Sequence, residues 1–228
     1  MLSSSLTKHI LGTYSRLRRG MAVIAFLFPL VLLIGGLAFF GVAPQPSMSA
    51  YYHTDPNLRD TFVGVLFAVG TFLFLYKGDT PAEDWLLNVA GASAIGIAYF
   101  EMVKGSDCST ASQGVTAHGF FAVVFFLAIS LVCVSVALRS QAEHGGRYLS
   151  RHASYYGVCA AIMLVSMGVG LVYSFLLPQA TRQALCNNNI IFWVEAFGVW
   201  GFSVSWFLRT IELDHRVSWL PWRSEDET

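Results

Sequence analysis

Six long runs of apolar residues, separated by short polar segments, make up most of the chain. Each run approaches the roughly 20 helical residues needed to cross a hydrocarbon core about 30 Å thick. The runs lie near Met21–Gly41, Asp60–Tyr76, Trp85–Val103, His118–Leu138, Ala153–Leu177 and Asn189–Arg209. The pattern predicts an all-α integral membrane bundle of six transmembrane helices.

Composition supports this fold class. Hydrophobic residues form 55% of the 228 positions and charged residues 12%, whereas soluble domains average about 45–50% and 25%. No repeat or low-complexity tract divides the chain, so residues 1–228 are predicted to form one domain. Its ends would be an N-terminal segment, residues 1–20, and a tail, residues 210–228. The formal net charge is zero, which gives no reason to expect nucleic acid as a partner.

The basic residues predict the orientation. If the N-terminus is cytoplasmic, eleven of the fourteen Lys and Arg residues fall in cytoplasmic segments, and only Arg59, Lys104 and Arg182 fall outside. Cytoplasmic loops are enriched in these residues, so both ends are predicted to be cytoplasmic. The first run exceeds the 7–15 apolar residues of a secretory signal. An organellar transit peptide is the alternative for the Ser- and Arg-containing start.

Small residues are candidates for close helix packing, because they let membrane helices approach each other. They are Ala90, Gly91 and Ala94 in the third run, Ser166 and Gly170 in the fifth, and Gly201 and Ser205 in the sixth.

The four cysteines fall into two pairs under this topology. Cys133 and Cys159 lie within spans, where thiols usually act as small apolar side chains. Cys108 and Cys186 lie in outer loops, and a disulfide between them is one hypothesis. Two unrelated loop thiols are the alternative.

Polar groups within or beside the spans are the candidates for function, since such groups are costly at membrane depth. Glu195, about two turns into the sixth span, predicts either a ligand-binding carboxylate or a hydrogen-bonded packing contact. His118 and the polar first outer loop lie at a similar depth.

The inner connection at residues 77–84 is interpreted as a solvated turn, and Asn88 as a packing residue. Any pocket is therefore expected at the outer side, and its candidate ligand-binding residues are Ser47, Ser49, Tyr52, His53, Arg59, Asp60, Glu101, His118, Trp193 and Glu195.

Four motifs along the chain resemble those of a known membrane family. They are Ser47–Ser49 after a proline, Leu87–Gly91, Ala117–Gly119 and Glu195. Their order is similar to that of the six-span damage-regulated autophagy modulators, and the chain resembles a distant, bacterial-type branch of that family. The resemblance implies six spans, a lipid-linked role and, for this branch, the bacterial cytoplasmic membrane.

Several functions remain open. The preferred hypothesis is a non-enzymatic protein that binds or organises membrane lipids through the outer pocket, without a cofactor. The main alternative is a metal-dependent lipid hydrolase or transferase. In it His53, Asp60 and His118, alone or with Glu195, would hold a divalent metal such as zinc. Ser47 or Ser49 would act as the nucleophile or as an oxyanion donor. An accessory subunit of a membrane complex, a homo-oligomer and a small transporter are further alternatives.

Overall fold

The computed structural model describes residues 4–103, 116–144 and 147–218. Every regular element in these ranges is helical. The α-helices are α1 (Ser4–Leu30), α2 (Gly36–Phe40), α3 (Pro56–Leu75), α4 (Pro81–Tyr99), α5 (Ala117–His144), α6 (Arg147–Phe175), α7 (Gln179–Asn187) and α8 (Ile190–Ser218). A π-helical turn, Val31–Gly35, joins α1 to α2, and a 3₁₀ turn covers Ser49–His53.

Five stretches are long and apolar enough to cross a membrane. They are His9–Phe40, Pro56–Leu75, Ala117–Arg139, Ala153–Phe175 and Ile190–Glu212. They coincide with five of the six predicted apolar runs, which confirms the helical class and the multi-pass character of the protein. The remaining run forms α4, which is less apolar because it begins with Glu83 and Asp84 and contains Asn88.

The six long helices form a closed ring. Helices α3, α4, α5, α6 and α8 each pack on the next, and α1 closes the ring between α8 and α3. Hydrogen bonds run from Trp200 Nε1 to Phe26 O (3.0 Å) and from Ser203 Oγ to Ala22 O (2.8 Å). These contacts make α1 and α8 antiparallel, so the start of α1 and the end of α8 lie at the same end of the bundle. We call this the inner end, and the opposite one the outer end, after the predicted orientation.

A proline changes the helical geometry before the chain turns at the outer end. Pro29 lies inside α1 and cannot donate a backbone hydrogen bond. The π-helical turn follows two residues later. Helix α2 then ends at Gly41, whose φ of 65° is left-handed, a conformation that glycine adopts without a Cβ clash. The chain thereby leaves the helix and folds residues 42–55 back over the bundle.

Close helix contacts occur at only some of the predicted small residues. A Cβ added at Gly91 would lie 2.6 Å from the carbonyl oxygen of Gly70, so α3 and α4 touch through their backbones. At Gly201 an added Cβ would lie 3.2 Å from Met163 Cγ. Gly170 is different, because a Cβ there would meet no atom within 4 Å. The expectation of close packing at Gly170 is therefore wrong.

Candidate functional site

The first outer loop is fastened to the start of α8. The backbone N–H of Met48 donates to Glu195 Oε2 at 2.6 Å, and that of Phe192 donates to the Pro46 carbonyl at 2.8 Å. Phe192 lies in the first turn of α8, where backbone N–H groups lack partners within the helix. Loop and helix therefore satisfy each other's polar groups, and Glu195 is an anchor of the loop.

The two loop serines are buried inside this arrangement. The Oγ atoms of Ser47 and Ser49 lie 3.2 Å apart, and the Ala50 N–H donates to Ser47 Oγ at 3.1 Å. Ser49 Oγ also lies 3.1 Å from the sulfur of Met102. These contacts stabilise the 3₁₀ turn and join it to the segment after α4.

Both candidate imidazoles bind carbonyls at and just beyond the end of α4. His53 Nε2 is 2.6 Å from the Met102 carbonyl. His118 Nδ1 is 3.1 Å from the Ile97 carbonyl and 3.0 Å from that of Phe100. The last carbonyls of a helix have no partner within it, and the two histidines supply donors there. Each imidazole nitrogen in these contacts acts as an N–H donor, so only the other ring nitrogen of each histidine could bind a metal.

The other candidate residues lie on the surface of the outer end. Arg59 and Asp60 pair with each other at 3.3 Å in an exposed position. Tyr52 hydrogen-bonds Glu101, and its pKa is raised, mainly by partial burial and then by the Glu101 carboxylate. Trp193 is 41% exposed and faces Trp200 on the α1 side of α8.

The ten predicted residues thus share the outer end, where they divide into two groups. Ser47, Ser49, His53, His118 and Glu195 hold the loop and the end of α4 in place. Tyr52, Arg59, Asp60, Glu101 and Trp193 are exposed or half-exposed. Within the described ranges, no three His, Cys, Asp or Glu side chains lie close enough together to bind a metal ion.

The structure describes three of the four cysteines. Cys133 and Cys159 are buried free thiols. Cys186, at the end of α7, is buried and disulfide-bonded. Its predicted partner, Cys108, lies outside the described residues, so the Cys108–Cys186 pairing stays a prediction.

The inner end holds a charged cluster that the sequence interpretation missed. Glu83 is fully buried, which makes the prediction of a solvated turn wrong at this residue. Arg139 Nη2 lies 2.5 Å from Glu83 Oε2, and Arg209 Nη1 pairs with Glu83 Oε1. Arg209 Nη2 also lies 3.0 Å from Asp79 Oδ2. The sequence does place arginines at the inner ends of separate spans. However, the enrichment of basic residues on the cytoplasmic side already accounts for those positions, so their position alone did not predict the cluster.

Arg18 extends this cluster from α1. It is 2% exposed, and its guanidinium carbon lies 5.5 Å from the centre of the Tyr76 ring, 5.9 Å from Tyr14 and 6.0 Å from Trp206. These distances suit cation–π attraction.

Two surface cavities differ in chemistry. One, of about 360 Å³, lies at the inner connection between α3 and α4 and is lined by Lys77, Asp79, Asp84 and Asn88 among others. The expectation that any pocket would lie at the outer side therefore does not hold for this cavity. The other, of about 340 Å³, is an apolar groove lined by Gly168, Val169, Val172 and Tyr173 of α6, Leu185 of α7 and Ile191 of α8. We call it the α6–α8 groove.

Comparison with known proteins yields no match. No family model, curated protein or solved structure is similar to the chain at a significant level. The fold defines the class of the protein, a multi-pass, all-helical membrane protein. The resemblance to the damage-regulated autophagy modulators stays a prediction from four motifs.

Proposed function

We propose that the protein crosses the membrane six times, with both ends cytoplasmic, and binds a bilayer lipid in its outer half without converting it. The antiparallel contact of α1 with α8, which brings both described ends to one end of the bundle, supports an even number of spans. The basic residues at that end support its cytoplasmic position. Helix α4 would be the third of the six spans in chain order, with Glu83 buried in the bundle.

The α6–α8 groove is the observation that carries the lipid-binding proposal. Its walls belong to two candidate spans, Ala153–Phe175 and Ile190–Glu212, so its surroundings at that depth would be hydrocarbon. Its lining consists of aliphatic residues, one glycine and one tyrosine. Gly168 leaves open space, because a Cβ added there would meet nothing within 4 Å. An acyl chain fits these walls, since the groove offers dispersion contacts that a flat helix surface lacks.

A headgroup contact lies next to this groove, on α7. The hydroxyl of Tyr173, which lines the groove, donates to the Arg182 carbonyl at 3.3 Å. Arg182 Nε is buried and has no hydrogen-bond partner among the described residues. We take this guanidinium as the group that would bind a lipid phosphate near the outer end of the groove. The exposed Tyr52, Arg59, Asp60, Glu101 and Trp193 remain candidates for contacts with a further headgroup.

Contacts within the loop favour binding over catalysis. Ser47 and Ser49 interact with each other and with Ala50 and Met102. His53 and His118 interact with carbonyls at and just beyond the end of α4. These contacts give the residues a structural role, because they hold the loop and satisfy carbonyls at the end of α4.

Filling the groove tests the proposal. Gly168→Leu would add a side chain to the wall of the groove, at a position where a Cβ meets no atom within 4 Å. Gly157→Leu is the matched control, because Gly157 is also an open position on α6 but does not line the groove. Purified proteins would be labelled with a phospholipid that carries a photoreactive group in its acyl chain, and the cross-linked residues mapped by mass spectrometry.

We expect the natural chain and Gly157→Leu to cross-link at α6 and Ile191 in a saturable manner, and Gly168→Leu to lose most of that labelling. Equal labelling of the two variants, or labelling that is spread evenly over all helices, would overturn the proposal.

A further inference from the structure

Three buried hydrogen-bond donors around Arg18 have no acceptor among the residues that the structure describes. They are Arg18 Nε, Arg18 Nη2 and Trp206 Nε1. The guanidinium carbon of Arg18 lies 6.0 Å from the centre of the Trp206 ring, so the three donors lie close together. Buried polar groups are nearly always paired, and a set made only of donors requires an acceptor.

The charges around Arg18 point to an anion. Arg139 and Arg209 pair with Glu83 and Asp79, and Glu212 accepts from Tyr156, but no carboxylate among the described residues pairs with Arg18. Arg18 contacts aromatic rings instead. Cation–π attraction offsets only part of the cost of burying a charge. A negative charge beside Arg18 would give its guanidinium the partner that the described carboxylates do not supply.

We propose that Arg18 and Trp206 form a binding site for a phosphate-class anion at the inner end of the bundle. The guanidinium fork of arginine matches the oxygens of a phosphate group, and the indole N–H adds a third donor. Arg19 is exposed on the same helix, and its charge would attract anions towards the site. A phosphodiester, with one negative charge, would pair with the Arg18 guanidinium.

Tyr14 is the side chain that must move to admit the anion. It lies one helical turn before Arg18, is half-buried, and its ring lies next to the guanidinium. Its hydroxyl is 3.5 Å from the Lys77 carbonyl, a distance at the limit of a hydrogen bond. The Tyr14 ring also stacks on Tyr76, with ring centres 5.2 Å apart, so admitting the anion requires this pair to separate.

The anion has two possible sources, the headgroup of an inner-leaflet phospholipid or soluble phosphate. The test uses the full chain in detergent, with phosphatidylglycerol, phosphatidylcholine or inorganic phosphate added separately. Native mass spectrometry counts the bound molecules, and thermal unfolding gives the stabilisation. Arg18→Gln and Trp206→Phe remove donors, and Arg16→Gln is the matched control because it removes an exposed charge two residues away.

We expect one anion per chain to be retained by the natural protein and by Arg16→Gln. Loss of a charge-assisted hydrogen bond should weaken binding about tenfold in Arg18→Gln, and loss of the neutral indole donor about threefold to fivefold in Trp206→Phe. If Arg18→Gln does not fold, the proposal is tested by comparing anion binding by Trp206→Phe with anion binding by Arg16→Gln.

Retention of phosphatidylglycerol would identify a lipid, and retention of inorganic phosphate a soluble ligand. Absence of any bound anion, equal binding by Arg16→Gln and the donor variants, or equal stabilisation by phosphatidylcholine and phosphatidylglycerol would overturn the proposal. These outcomes leave the α6–α8 groove unaffected, because that site lies at the other end of the bundle.

Discussion

At the scale of single residues, Glu195 shows how a polar group inside a span can serve the fold. An acidic residue within a span is costly unless it finds partners. Glu195 accepts the Met48 N–H at 2.6 Å, while Phe192, one turn earlier, donates to Pro46. The carboxylate thereby fixes residues 46–53 on the bundle, and the exposed candidate residues depend on that anchor for their positions.

Replacing Glu195 by Gln should loosen the loop without unfolding the bundle. The amide oxygen of Gln can still accept the Met48 N–H, but a hydrogen bond to a charged group is stronger, so we expect a loss of about 1 kcal/mol. Hydrogen exchange of the Met48 amide should become about fivefold faster, which mass spectrometry of peptides covering residues 46–53 would detect.

Glu101→Gln is the control for this substitution, because Glu101 is exposed and its carboxylate does not hold the Met48 amide. It should leave exchange at Met48 unchanged. Unchanged exchange in Glu195→Gln as well would show that the carboxylate does not anchor the loop.

At the scale of helices, apolar runs were sufficient to predict where five membrane-crossing helices lie, because their length and composition are local properties. Which small residue touches which helix could not be predicted. Gly91 and Gly170 look alike in the sequence, but Gly91 meets the backbone of α3 and Gly170 faces open space. Helix rotation within the bundle decides this difference, and it depends on all the neighbouring helices.

Gly91→Ala should destabilise the protein. The added Cβ would lie 2.6 Å from the Gly70 carbonyl oxygen and 2.7 Å from the Phe74 nitrogen. Both atoms belong to the backbone, so α3 and α4 would have to separate, at a cost of about 1–3 kcal/mol. Thermal unfolding in detergent would measure this loss.

Gly157→Ala provides the comparison for Gly91→Ala, because a Cβ at Gly157 meets nothing within 4 Å. Alanine is the better helix former by about 1 kcal/mol, so Gly157→Ala should be neutral or slightly stabilising. A loss of stability in Gly157→Ala that equals the loss in Gly91→Ala would contradict close packing of α3 on α4.

At the scale of the whole molecule, Glu83 joins helices that are distant in the sequence. Glu83 lies in the first turn of α4 and pairs with Arg139 of α5 and Arg209 of α8. Arg209 also pairs with Asp79. The sequence shows each of these charged residues, but it does not predict that they are in contact. The contact forms only when three separate helices pack around Glu83. For the same reason the outer candidate residues could be predicted to share one end but not to divide into anchors and exposed groups.

Removing the charge of Glu83 should be among the most damaging single changes. Glu83→Gln would leave Arg209 buried with only the largely exposed Asp79 as a partner, and breaking a buried ion pair in this way costs about 3–5 kcal/mol. Adding Arg209→Gln to Glu83→Gln should recover part of the loss, because the unpaired buried charge is then gone. Unfolding titrations in mixed micelles would give the interaction energy of the pair from a double-mutant cycle.

Asp60→Asn is the control, since its pair with Arg59 is exposed and is worth about 0–1 kcal/mol. If Glu83→Gln proves as mild as Asp60→Asn, Glu83 does not hold the inner end of the ring together.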